Sequence, residues 1–72
     1  MPLIQVKTFK DELTSEQSEL LIQKITDAVT SVTSEKLRDV TWVILEEVKD
    51  GHWGVGGKAL TLDHVKAMIT AD

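Results

Sequence analysis

Residues 40–48, VTWVILEEV, constrain the fold more than any other stretch of the chain. Trp42, Val43, Ile44 and Leu45 are apolar without alternation, the pattern of a strand covered on both faces, as in a parallel pair. Parallel neighbours cannot be joined by a tight turn and need a crossover, usually a helix. The residues ahead supply both parts. Leu3–Phe9, LIQVKTF, puts Ile4, Val6 and Thr8 on one face and Leu3, Gln5, Lys7 and Phe9 on the other, a strand with one mostly apolar face. Thr14 with Gln17 three positions later forms the capping-box pattern of a helix start. The following SEQSELLIQKITDAVTSVT, about 19 residues, carries Leu21, Ile25, Ala28, Val29 and Val32 on one amphipathic stripe. Glu16, Glu19, Gln23 and Lys24 fall on the solvated side. KDEL (10–13) and SEKLRD (34–39) are polar links. The result is a βαβ unit, whose crossover is expected to be right-handed.

Two strands and one helix cannot cover both faces of residues 40–48. The chain has 72 residues, and a domain of that size buries only about 60% of its unfolded surface. Ordering a residue costs about 1.5 kcal/mol, which roughly cancels what so small a core gains. Disulfides, a structural metal or oligomerisation are the usual remedies. There is no cysteine, and His52 and His64 alone do not make a structural metal site. Oligomerisation remains, with the bare sheet face or edge meeting another subunit.

After the second strand comes KDGHWGVGGKAL (49–60), with four glycines between Gly51 and Gly57, read as a turn and a short hairpin. TLDHVKAMIT (61–70) then places Leu62, Val65, Met68 and Ile69 at helical spacing behind Thr61 as N-cap. The fold expected is α+β: one domain over residues 1–72, a single βαβ unit followed by a hairpin and a short C-terminal helix.

Lys and Arg number 8 against 12 Asp and Glu, a net charge of −4, and no basic stripe exists, which argues against nucleic acid. No apolar run approaches a membrane span. The N-terminus lacks the basic and long apolar regions of a signal peptide, so a soluble cytoplasmic protein is expected. Gly57-Lys58 fails as a phosphate loop, because His52 and Ala59 occupy the positions of its first glycine and its Ser/Thr. Gly54-x-Gly56-x-x-Ala59 fits a dinucleotide fingerprint, but too little chain follows it to build the unit that fingerprint needs. Glu46 and Glu47 are adjacent on a strand and point to opposite faces, so they do not form an acid–base pair within one chain. Trp42 fits a core or subunit interface. Trp53, on the glycine-flanked hairpin, fits an interface or the wall of a pocket.

The N-terminus offers the chemistry. Met1 stands before Pro2, and methionine aminopeptidases generally remove the initiator before a small residue such as proline. Pro2 would then carry a free secondary amine, a group no internal residue supplies. Such an amine titrates near 7.7–8.0, and an apolar pocket or neighbouring cations lower that value toward the range of a general base at pH 7.

Met1-Pro2, strand, long helix, strand and Gly51-His52-Trp53-Gly54-Val55-Gly56-Gly57 together resemble the 4-oxalocrotonate tautomerase family, over the chain from Pro2 to about Gly57. The resemblance implies small βαβ subunits assembled as hexamers, trimers of dimers. It implies cofactor- and metal-independent keto–enol tautomerisation of a small enol or 2-oxo acid, with the N-terminal proline as base. It also implies that the aromatic of the glycine-rich stretch, here Trp53, lines the site. The best-known members hold a dicarboxylate with two arginines. The link before the long helix is here Lys10-Asp11-Glu12-Leu13, with no arginine and one extra residue, and the second-strand position aligns with Trp42. Arg38, just ahead of that strand, and Lys10 are the candidate cations, and Trp42 joins them as a candidate pocket residue. Two alternatives stand beside this reading: a proline-dependent dehalogenase or hydratase of 3-substituted acrylates, and a non-catalytic oligomeric binding protein on the same scaffold.

Overall fold

The computed structural model describes residues 1–70. Strand β1 (Leu3–Phe9) pairs in parallel with β2 (Trp42–Val48), in register from Leu3 opposite Trp42 to Phe9 opposite Val48. Helix α1 (Ser15–Val32) is the crossover between them. A separate two-stranded antiparallel hairpin, β3 (Trp53–Val55) and β4 (Lys58–Leu60), follows, and helix α2 (Leu62–Thr70) ends the described chain.

Local chemistry places these boundaries. The Thr14 hydroxyl accepts from the Gln17 backbone N–H at 3.1 Å, and the Gln17 side chain accepts from the Thr14 N–H at 2.9 Å, so the expected capping box is formed. Thr33 closes α1, its N–H donating to the Val29 carbonyl at 3.0 Å. The 34–39 link is not irregular: Glu35–Val40 is a 3-10 helix with Ser34 as its cap. Val40 belongs to that helix, so β2 begins at Trp42 rather than at residue 40. The Thr41 hydroxyl explains the delay, since it donates back to the Leu37 carbonyl at 2.8 Å and holds the last turn closed. The other link, 10–13, is a tight turn in which Asp11 adopts a φ of 65°, a conformation that Asp tolerates better than most residues. The Glu47 carboxylate accepts the Asp11 N–H there at 2.8 Å. Gly56 and Gly57 turn the hairpin with φ of 59° and 83°, both positive, as a two-residue turn between twisted strands requires.

Phe9 is the one buried apolar residue among the described residues, and Trp53 stacks on it with ring centroids 4.8 Å apart. Ile4, Val6 and Thr8 face inward as the alternation predicts. Apart from Phe9, which Trp53 covers, the opposite face of the sheet is uncovered in the single chain: Leu3, Trp42 and Ile44 are all exposed. β2 is therefore covered on one face by its own chain, where its sequence is apolar for two.

Helix α1 shows the same mismatch. Leu21, Ile25 and Val29 turn inward, but Ala28 is exposed and Val32 is 85% exposed. The side the chain does bury also includes Ser18, Thr26 and Thr30. At about 100° per residue, the apolar stripe is centred about 60° away from that buried side. Part of the stripe thus faces away from the chain's own sheet. The molecule exposes 5654 Å², against about 4,450 Å² for a monomeric protein of its mass. The radius of gyration of 14.9 Å likewise exceeds the roughly 11 Å of a compact chain this long.

Candidate active site

Pro2 lies immediately before β1, half-buried, and its carbonyl accepts the Trp42 N–H at 2.9 Å. That bond extends the parallel ladder by one residue and holds the N-terminus beside the first residue of β2. Met1 is exposed, and while it is attached the Pro2 nitrogen is a tertiary amide without basicity. Leu3 and Trp42 are opposite each other on the uncovered face, giving the Pro2 end of the sheet an apolar surface.

Arg38 lies near this end, on the 3-10 helix that leads into β2. Its guanidinium is engaged by α1 and by its own helix. Nη2 donates to Asp27 Oδ1 at 2.9 Å and to the Thr30 hydroxyl at 3.2 Å, and Nε and Nη2 both meet the Glu35 carboxylate. The hydrogen bond from Arg38 is the main reason the Glu35 carboxyl sits below its usual range, and the Glu35 and Asp27 bonds in turn push Arg38 further up. Thr30, the one buried polar residue among the described residues, is satisfied by the bond from Arg38 and by donating to the carbonyls of Thr26 and Asp27. Arg38 therefore ties the 3-10 helix to α1 and so fixes the approach to Trp42.

Trp53 and Lys10 occupy the other end. Trp53 rests on Phe9, the last residue of β1, and the Lys10 N–H continues the ladder to the Val48 carbonyl at 2.9 Å. Lys10 lines an open cavity of about 380 Å³ with Asp11, Lys49, Asp50 and Leu62. Its ammonium makes no ion pair among the described residues. A strand rises about 3.3 Å per residue, so Pro2 and Phe9 are separated by about 23 Å. One chain brings Pro2, Trp42 and Arg38 to one end of its sheet and Lys10 and Trp53 to the other.

A second cavity of about 280 Å³ lies between the first half of α1 and the ends of β1 and β2. Thr8, Phe9, Leu13, Ser18, Ile22, Leu45 and Glu47 line it. Nothing in the sequence marks it, because its walls come from three elements. Glu46 and Glu47 do point apart: Glu46 pairs with Lys7 at 3.3 Å on the uncovered face, and Glu47 holds the Asp11 turn. His64 serves the backbone, its Nδ1 accepting the Thr61 N–H at 3.0 Å at the start of α2. Among the described residues, no three His, Cys, Asp or Glu side chains are grouped to hold a metal, and no helix is long and apolar enough to cross a membrane.

Comparison with known proteins gives a consistent answer. A Dickeya dadantii protein named probable tautomerase K2 is 36% identical over 61 residues, which are 85% of this chain and 90% of that one. The crystal structure of YwhB, a homologue of 4-oxalocrotonate tautomerase, superimposes with a TM-score of 0.72 at 32% identity, covering 86% of this chain and 95% of that one. DmpI from Helicobacter pylori superimposes with a TM-score of 0.71 at 27% identity, covering 90% and 96%. The family model described as tautomerase enzyme matches residues 2–63, beginning at Pro2, and the chain belongs to that family.

Proposed function

We propose that the protein is a cofactor-independent keto–enol tautomerase. In this reading Pro2, freed by loss of Met1, is the general base acting on a small enol or 2-oxo acid. The observation that carries the reading is the position of Pro2. It stands at the first residue of the family match and is fixed by β2 at the mouth of an apolar sheet face.

The chemistry follows from the residue. A neutral secondary amine removes a proton from the enol hydroxyl, or from carbon next to a carbonyl, and as the ammonium returns it at the other end of the conjugated system. The ring fixes the direction of the lone pair, so little orientational entropy is lost in the encounter. The Trp42 and Leu3 surface lowers the local polarity and favours the neutral amine.

The two ends of the sheet belong, on this reading, to different sites. Trp53 and Lys10 reach the Pro2 of another copy, with Trp53 closing the pocket and Lys10 meeting the substrate carboxylate. Lys10 is favoured over Arg38 because its ammonium is uncommitted, whereas Arg38 is held by Asp27 and Glu35. One such cation suits a monocarboxylate. The copies assemble as a hexamer, a trimer of dimers, which covers the outer sheet face and the outward part of the α1 stripe.

The test begins with intact mass of natively processed protein and continues with ketonisation of phenylenolpyruvate and 2-hydroxymuconate on the same sample. Loss of Met1 is expected, with Pro2→Ala lowering kcat/KM by about 10²–10⁴, the usual worth of a general base. Fully processed protein inactive on both enols, or activity indifferent to Pro2→Ala, contradicts the reading.

A further inference from the structure

Pro2 and Trp42 are joined by the first bond of the parallel ladder, at 2.9 Å from the Trp42 N–H to the Pro2 carbonyl. Whatever Pro2 acts on therefore lies beside the first residue of β2. Trp42 is the largest side chain that the β1–β2 sheet leaves bare, 57% exposed, with Leu3 opposite it at 56%. Ile44, two residues further along the same face, stands opposite Gln5. The Pro2 end of this face is apolar and uncharged.

The charges nearby are already matched. Lys7, the first cation along the face, pairs with Glu46 at 3.3 Å. That pair lies about 13 Å beyond Leu3 and Trp42, at four residues along the strands. Arg38 is held by Asp27 and Glu35. Lys36 and Asp39 are three apart on the 3-10 helix, where residues at that spacing share a side, so they offset each other. Among the described residues, this end carries no surplus positive charge apart from Pro2 itself. The backbone of Trp42 is also well held. The Thr41 hydroxyl closes the turn before it, donating to the Leu37 carbonyl at 2.8 Å, and Arg38 ties that turn to α1. A surface fixed in advance loses little freedom when a flat partner settles on it.

Taking Pro2 as the base, as proposed above, we infer that Trp42 sets the substrate class: the enol of a 2-oxo monocarboxylic acid whose far end is an aromatic ring, stacked on the indole. The carboxylate of this substrate points to the Lys10 supplied by another copy, and the ring points to Trp42. A second carboxylate in place of the ring is disfavoured, because it leaves water for an apolar surface with no cation to pair it. An aromatic ring gives up its water at little cost and gains from offset stacking.

The test compares kcat/KM for phenylenolpyruvate and for 2-hydroxymuconate in natively processed wild type, Pro2→Ala, Trp42→Leu, Trp42→Phe and Trp42→Arg. Wild type should favour phenylenolpyruvate. Trp42→Leu keeps the face apolar and removes the stacking surface. It should lower kcat/KM for phenylenolpyruvate by about tenfold or more, chiefly through KM, and change 2-hydroxymuconate by less than about threefold. Trp42→Phe should retain most of the preference for the aryl enol. Trp42→Arg should move the ratio toward 2-hydroxymuconate by about tenfold or more. A purely structural role lowers both substrates together, so parallel losses overturn the inference. An aryl preference that survives Trp42→Leu, or a wild type that prefers the dicarboxylate, overturns it too. In those cases, collapse of both activities in Pro2→Ala leaves Pro2 standing as the base. Activity indifferent to Pro2→Ala, or none on either enol, removes the proposed function and this inference with it.

Discussion

Arg38 does its work through bonds that the sequence hides. Asp27, Thr30 and Glu35 converge on it from α1 and the 3-10 helix, so its substitution loosens the segment that delivers Trp42. The pH dependence has a definite sign. The Glu35 carboxyl is lowered from 4.5 by its bond to Arg38, so the unfolded chain takes up this proton more readily than the folded one. The stability contributed by the pair is therefore fully present above pH 4.5 and is lost as pH falls below it, through the depressed folded value. Denaturant unfolding of wild type and Arg38→Ala between pH 3 and 7 should show a gap above pH 4.5 that narrows toward acid. A gap that widens in acid contradicts this account. In the sequence, Arg38 reads as a cation free for substrate. Its main carboxylate partner on α1 is eleven residues away, and no local spacing rule joins them. Lys10, by contrast, makes no ion pair among the described residues.

Helix α1 shows which signals at the scale of an element are readable. The Thr14–Gln17 box depends on four consecutive residues and forms as expected. Thr14→Ala should cost about 1 kcal/mol in unfolding free energy, the usual worth of an N-cap, measurable by denaturant titration. The extra 3-10 helix was hidden because Glu35–Val40 has no apolar period; Ser34, Thr41 and Arg38 build it through hydrogen bonds. Apolar periodicity reports that a surface is covered, and it does not say by what. The α1 stripe and the β2 run both announce more burial than one chain supplies, which is why Ala28, Val32, Trp42 and Ile44 are bare here. The βαβ unit, the hairpin and α2 were legible because each is marked by a short-range pattern. The cavity between α1 and the strand ends was not, because its lining is assembled from separate elements.

At the scale of the molecule, an exposed area of 5654 Å² with a single buried apolar side chain among the described residues describes a subunit rather than a finished particle. If the assembled form carries the stability, unfolding is linked to association, and the midpoint of thermal unfolding rises with protein concentration. Calorimetry over a hundredfold concentration range, with sedimentation alongside, should show this rise. A concentration-independent midpoint would mean that the single chain stands alone. The parallel pairing of β1 and β2 has a genetic consequence as well. On the proposed function, Pro2 before the start of β1 and Trp53, stacked on Phe9 at its far end, serve different pockets, so a chain that lost the proposed base and a chain that lost its indole are damaged in different halves of a pocket shared between copies. Two such alleles, each silent when expressed alone, would partly rescue one another in the same cell, since some mixed pockets draw both intact halves. A sheet that kept the two residues at one end would make those alleles fail to complement.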